Sequence, residues 1–173
     1  MGKTLMEAPM KQKLIFITGS PCVGKTTVTD LLFQSYDNSA FFDGDCAWCV
    51  HPFSVADPRL RDGDKVMSFA LSNYLHSKFD YVFFSSVVIL AEDGIRASIL
   101  RDITAEDYLL IPFTLKCTEE TLAQRHRKRG DQGEVLYHWL RMPPYPGDHV
   151  IWTDGKSPQE IVKEMQQIID QYD

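Results

Sequence analysis

A chain of 173 residues holds one domain with a full hydrophobic core and has little room for two. With 44% hydrophobic and 24% charged residues it has the balance of a soluble globular protein, which argues against disorder over most of its length. Acidic residues outnumber basic ones, 24 to 18, and the resulting charge of −6 argues against a nucleic acid polymer as partner.

The first residues carry Lys3, Lys11 and Lys13 without a continuous apolar run, so they do not read as a signal peptide. Met6 stands where a myristoylation pattern requires Ser or Thr. The longest apolar stretch, 81–91, is broken by Ser85-Ser86 and is too short to span a bilayer. Four cysteines in such a chain read as reduced thiols, and the expected location is cytoplasmic, with no membrane partner.

In chain order, Leu14-Ile-Phe-Ile-Thr18 is a short apolar run closed by Gly19, as expected of a strand buried on both faces. A helix is expected from about Gly24 to Tyr36, with Val28, Leu31 and Leu32 on one side, and a second strand over 40–43. Met67, Leu71, Tyr74 and Leu75 recur at helical spacing between about 64 and 78. Residues 80–85, continuing into Val87 and Val88, form a third strand, and Ile95, Ile99 and Ile103 mark another helix. A fourth strand over 109–115 is expected to be interrupted early by Pro112, and 118–129 is helical, with Thr118 as its cap. Residues 149–152 make a fifth strand. The last helix opens with Ser157 as N-cap, Pro158 at its first position and Glu160 completing a capping box. Strands alternating with helices at this spacing imply a parallel sheet covered on both faces.

Between the first strand and its helix, Gly19-Ser20-Pro21-Cys22-Val23-Gly24-Lys25-Thr26 satisfies G-x-x-x-x-G-K-S/T in full, in the strand-then-helix setting that gives this pattern its meaning. The glycines let backbone N–H groups turn inward toward phosphate oxygens, and the helix dipole adds positive charge there. Lys25 would reach the outer phosphates and the Thr26 hydroxyl would ligate Mg²⁺; ATP and Mg²⁺ are the expected cofactors. After the second strand, Asp43-Gly44-Asp45 places two acids where one can take a proton and the other can organise a metal-bound water. At i and i+2 on an extended segment both would point the same way.

Taken together, residues 19–27, Asp43-Gly-Asp45, the third strand ending at Ser85, the Leu115…Leu122…Arg125…Arg129 segment and the final Ser-Pro-Gln-Glu helix resemble the small-molecule kinases of the P-loop nucleotide-kinase superfamily. Shikimate, gluconate and adenylylsulfate kinases and chloramphenicol phosphotransferase are similar in layout. The resemblance covers about 14–169 and implies an α/β three-layer fold with a five-stranded parallel sheet in the order 2-3-1-4-5. It further implies a single domain over 1–173, with a tail over 1–12 and a lid over about 125–145. On it, Lys25, Asp45 and Arg125 are catalytic, Asp45 being the base and Asp43 helping Thr26 with the metal. Arg125 and Arg129 join residues 19–27, including Thr27, in holding the nucleotide. Where many nucleoside monophosphate kinases end the third strand with Asp-Gly, this chain has Ser85-Ser86, which weakens an adenylate-type assignment.

Candidates for the acceptor side are Asp45, Trp48, His51, Phe53, Arg59, Arg61 and Arg96: aromatic rings to stack, arginines for a carboxylate or phosphate. Each has an ordinary alternative as core or surface residue. Cys46-Ala-Trp-Cys49 is a C-x-x-C, but a thioredoxin-like unit would leave the phosphate loop unexplained, and zinc would need ligands at further spacings. The expected activity is transfer of the ATP γ-phosphate to a small-molecule hydroxyl or phosphate, by a monomer or homodimer. The alternative is an ATPase or switch without an acceptor. An Asn-Lys-x-Asp guanine-reading motif is absent, and the third strand lacks the acidic pair of a AAA-type motor.

Overall fold

The computed structural model describes residues 11–54, 56–87 and 94–172, with the backbone alone at Arg61. Residues 1–10 of the expected tail, Val88 of the expected continuation of the third strand and the side chain of Arg61 lie outside the described residues, while Gln12, expected in the tail, opens the first strand. Five parallel strands, β1 (Gln12–Gly19), β2 (Ser39–Asp43), β3 (Tyr81–Ser85), β4 (Tyr108–Lys116) and β5 (His149–Trp152), form one sheet in the order β2-β3-β1-β4-β5. Among the described residues the α-helices are α1 (Lys25–Ser35), α2 (Leu60–His76), α3 (Ile95–Arg101), α4 (Glu119–Arg129), α5 (Tyr137–Arg141) and α6 (Pro158–Ile169). This is the expected three-layer α/β architecture with the expected strand order.

Alternation along β1 explains the layering. Ile15 and Ile17 face one core with Val28, Leu32, Phe113, Met165 and Ile169, where α1 and α6 cover the sheet. Leu14 and Phe16 face the other, with Met67, Leu71, Phe84 and Ile99 from α2, β3 and α3. All four β1 side chains are fully buried, so the central strand reads as a continuous apolar run. Chain direction then brings the C-terminal ends of β1, β2 and β3 to one edge, where ligands of such sheets bind.

Helix capping follows the sequence closely at α4 and α6. Thr118 accepts a hydrogen bond from the N–H of Thr121, and Ser157 and Glu160 form a complete reciprocal capping box. Other elements differ from expectation. Pro112 does not interrupt β4: it sits opposite Phe16 of β1, and β5 pairs with β4 only from Phe113 onward. A residue without an N–H is tolerated where the strand has one neighbour rather than two. β3 ends at Ser85, and Val87 belongs to the bend that follows. α2 begins at Leu60, ahead of the apolar residues that signalled it, and its Gly63 allows close approach of Trp48; a Cβ there would lie 2.4 Å from Trp48 Cδ1. The short helix α5, inside the region expected to be a lid, carries too few residues for a period to show.

Candidate functional site

The phosphate-binding loop spans the gap between β1 and α1. Gly19 cannot be replaced without displacing its neighbours, because a Cβ would meet Leu115 O at 2.7 Å and Val23 Cγ1 at 2.9 Å, and its φ of 148° disfavours L residues. Gly24, at φ 108°, forms the junction with α1. No side chain caps α1 and no acid stands in its first turn, whereas α4 and α6 carry both. The N–H groups opening α1 are therefore left for an external anion.

Lys25, 9% exposed, points back along the loop, with Nζ donating to Ser20 O at 3.1 Å. Burial pulls its ammonium down to about pKa 8, against the opposing pull of the Asp45 and Asp43 charges. Thr26 and Thr27 are exposed at the start of α1. A cleft of about 720 Å³ opens over this loop, lined by residues 21–28, by Asp43, Asp45 and Val87, and by Arg125, Lys128, Arg129, Lys156, Pro158 and Ile161.

The two acids reach the cleft by a different route from simple alternation. Asp43 ends β2 opposite Ser85 of β3, and its Oδ1 accepts from the N–H of Asp45 at 3.1 Å, capping a single 3-10 turn over Gly44–Trp48. Asp45 thus lies in a turn rather than on an extended segment, and it is the capping that brings the carboxylates together. Partial burial raises the Asp43 carboxyl above its ordinary value; the N–H of Asp45 opposes this and the Asp45 charge adds to it. Ser86 Oγ, itself buried, donates to Asp45 Oδ1 at 3.4 Å, and Thr18 Oγ1 donates to Ser86 O at 2.8 Å, so the end of β3 braces both the loop and the acid.

Arg125 is held by three bonds: Nη1 donates to Val23 O at 2.8 Å and to Thr153 Oγ1 at 2.9 Å, and Nη2 to Thr153 O at 3.0 Å. It ties the phosphate loop to the end of β5. Arg129 pairs with Asp131 at 3.1 Å, and Asp131 accepts from the Cys22 thiol at 3.2 Å, tying the loop to the end of α4 as well. Partial burial and then Asp131 push the Cys22 thiol above its ordinary value.

Of the other expected residues, Trp48 packs half-buried beside the α2–α3 core, and His51 and Phe53 are exposed on the loop that follows. Arg59 pairs with Asp57 at the surface. Arg96 is buried: it bonds Asp148 at 2.8 Å, with the two side chains 4% and 0% exposed, and its guanidinium sits 4.1 Å from the Tyr145 ring centroid. Asp148 is completed by Thr114 Oγ1, which donates to it at 2.6 Å. None of these five lines the cleft. Arg96→Met is expected to leave a buried carboxylate unpaired, costing about 3–5 kcal/mol. A thermal melt checks this: a fall in Tm of roughly 10 °C is expected, and an unchanged Tm would mean that the pair is not structural.

Lys156, Pro158, Ile161 and Val87 were not recognisable in the sequence as cleft residues. Lys156 and Pro158 follow β5, and no local pattern shows that β5 lies beside β4, which places their loop across from α1. Lys128 belongs to the basic run 125–129, whose lid reading pointed toward the cleft without singling it out.

The fold recurs in proteins with little sequence in common with this chain. A sugar kinase from Janibacter sp. is 14% identical over 92% of this chain and 95% of its own, with a TM-score of 0.67. A tunicamycin resistance protein from Deinococcus radiodurans is 20% identical over 92% and 96%, also at 0.67. Shikimate kinase from Acinetobacter baumannii, in complex with shikimate, is 18% identical over 94% and 95%, at 0.60. These likenesses give the chain the fold of the P-loop kinases. No curated protein matches it. At the level of sequence, residues 15–135, which carry the phosphate loop, both acids and the basic end of α4, match one family along their length, and the chain belongs to that family, AAA_18, described as an AAA domain.

Proposed function

We propose that the chain is an ATP-dependent kinase that moves the γ-phosphate of ATP to a small-molecule acceptor. The observation that carries this reading is the polarity of the cleft. One wall offers the uncapped start of α1 with Lys25, Lys128, Arg129 and Lys156, and Asp43 and Asp45 meet it beyond the end of β2. Backbone N–H groups and Lys25 would hold the phosphates, while the aliphatic surface of Pro158 and Ile161 suits the face of a purine. Thr26 and Asp43 would hold Mg²⁺, which neutralises phosphate charge when bound. Mg²⁺ bound with a triphosphate takes most of its ligands from phosphates and water, so one hydroxyl and one carboxylate from the protein would suffice.

Asp45 stands free to receive the proton of an acceptor hydroxyl, braced by Ser86. Trp48 ends the turn that carries Asp45 and His51 lies on the loop that follows, and both are assigned here to the acceptor side. Arg59 and Arg96 are both committed to carboxylates, which favours a hydroxyl acceptor over a phosphate or carboxylic acid. Arg125 and Arg129 would stabilise charge growing on the transferred group after exchanging their present partners. We place the lid over about 125–145, hinged near Gly130 and Gly133, within one domain spanning the chain. We place the enzyme in the cytoplasm, where its four free cysteines would stay reduced; no helix among the described residues is long and apolar enough to cross a membrane.

The test is ADP release from Mg-ATP with a panel of sugars, sugar acids, nucleosides, nucleotides and hydroxyl-bearing antibiotics. Release that depends on one acceptor class is expected. The family description favours a second reading, an ATPase without acceptor; steady hydrolysis indifferent to the whole panel would establish it instead.

A further inference from the structure

Four cysteines are distributed unequally over this molecule. Cys117 is buried and Cys22 half-buried beneath Arg129 and Asp131, while Cys46 and Cys49 are both exposed. The exposed pair brackets the end of the 3-10 turn that carries Asp45. The N–H of Cys49 donates to Cys46 O at 3.4 Å, closing the turn, and the Cys49 thiol donates to Asp45 O at 3.8 Å.

This backbone geometry matters. A 3-10 turn has three residues per turn and rises about 2 Å per residue, so residues i and i+3 eclipse one another roughly 6 Å apart. Disulfides bridge Cα separations of about 4.4–6.8 Å. The same spacing on an α-helix would offset the two side chains around the axis. Here the stacking comes from the short turn that Asp43 caps, and neither sulfur is committed to a buried partner.

We propose that Cys46 and Cys49 form a reversible disulfide that disables the Asp45 turn. With hydrogen peroxide as oxidant, one thiolate attacks a peroxide oxygen, the O–O bond breaks, and the sulfur becomes a sulfenic acid while the departing hydroxide takes a proton from solvent and leaves as water. The second thiolate then displaces the sulfenic oxygen as another water, forming the S–S bond. The two sulfurs together give up two electrons, which reduce the peroxide. A dithiol reductant reverses the reaction by exchange. Bridging turns the Cys49 sulfur away from the Asp45 carbonyl and toward Cys46, so the turn loses the side-chain bond that steadies Asp45 and the carboxylate loses its alignment with Ser86. The loop closed is very short, so little effect on global stability is expected. The loss of turnover rests on the kinase reading; formation of the bridge does not.

Trypsin separates the thiols cleanly, because Cys46 and Cys49 share the fragment 26–59, while Cys22 lies on 14–25 and Cys117 begins 117–125. The experiment titrates reduced protein with hydrogen peroxide, blocks remaining thiols, and weighs the fragments. Fragment 26–59 should lose both blocking groups and appear two hydrogen masses below its free-dithiol mass before either other fragment loses its block, and dithiothreitol before blocking should restore it. In parallel, acceptor-dependent turnover should fall about tenfold or more, with ATP binding by calorimetry retained. Cys46→Ser should keep its basal turnover and resist the peroxide, because the Cys46 side chain, unlike that of Cys49, has no bond to the Asp45 turn. First oxidation at Cys22, oxygen addition to fragment 26–59, links between chains, or a bridge without loss of turnover would each overturn the proposal. Should no acceptor support turnover, the kinase reading fails on its own, and fragment mass still decides whether the bridge exists.

Discussion

Lys25→Ala is expected to lower phosphoryl transfer by about 10³-fold, the scale seen when a single preorganised charge facing a reacting group is removed. The ammonium sits inside the loop, 9% exposed, with one backbone carbonyl as its hydrogen-bond partner. Burial has already drawn its pKa to about 8. A bound triphosphate would raise it again, so nucleotide binding should take up a proton at pH values above about 8. Affinity should be flat below that pH and fall as pH rises through it. Calorimetry in two buffers of different ionisation enthalpy reads the proton directly; affinity unchanged up to pH 9 would contradict the assignment.

The same burial has a consequence for stability without nucleotide. Between pH 8 and the unfolded value of 10.5 the unfolded chain holds more protons at Lys25 than the folded one. Stability should therefore rise with pH across that window, and the cost of the buried charge is fully present below it. Lys25→Met should make the nucleotide-free protein more stable at neutral pH by on the order of 1–3 kcal/mol while destroying transfer. Urea titration measures the first effect and ADP release the second. A destabilised Lys25→Met would show that the lysine is structural rather than held in readiness for an anion.

Asp45→Asn should lower turnover by about 10²–10⁴-fold, the usual range for loss of a general base, and leave ATP binding within a few-fold of the original. The two shapes are nearly identical, so Ser86 can still donate to the remaining carbonyl oxygen and the turn should persist. The readouts are single-turnover transfer and calorimetric ATP affinity in the same preparation. Near-normal turnover would remove Asp45 from the base role. An equal fall in ATP affinity and turnover would make it a nucleotide ligand instead.

How much of this was legible beforehand differs from element to element. The middle of β1, Leu14–Ile17, announced itself as an unbroken apolar run, because these four positions are buried on both faces of the sheet. The capping residues Thr118 and Ser157 were equally plain, since a cap is satisfied within four residues of itself. The phosphate loop was readable for the same reason: Gly19, Gly24, Lys25 and Thr26 act through their own backbone and a neighbouring helix.

Pro112 misled because its tolerance depends on where β5 starts along β4, which is a fact about another strand. Arg96 was read as an acceptor ligand and lies against Asp148, 52 residues away, a pairing that no local spacing encodes. Lys156, Pro158 and Ile161 border the cleft only because β5 is laid down beside β4. The sequence by itself determined the glycine-and-lysine pattern of the loop, the Asp43–Asp45 pair and the succession of strands and helices along the chain, all of which rest on close neighbours in the chain. Tertiary structure alone decided which charges face the cleft and which neutralise one another in the interior. A buried charge must be paired wherever its partner comes from, and only the packed sheet brings such partners together.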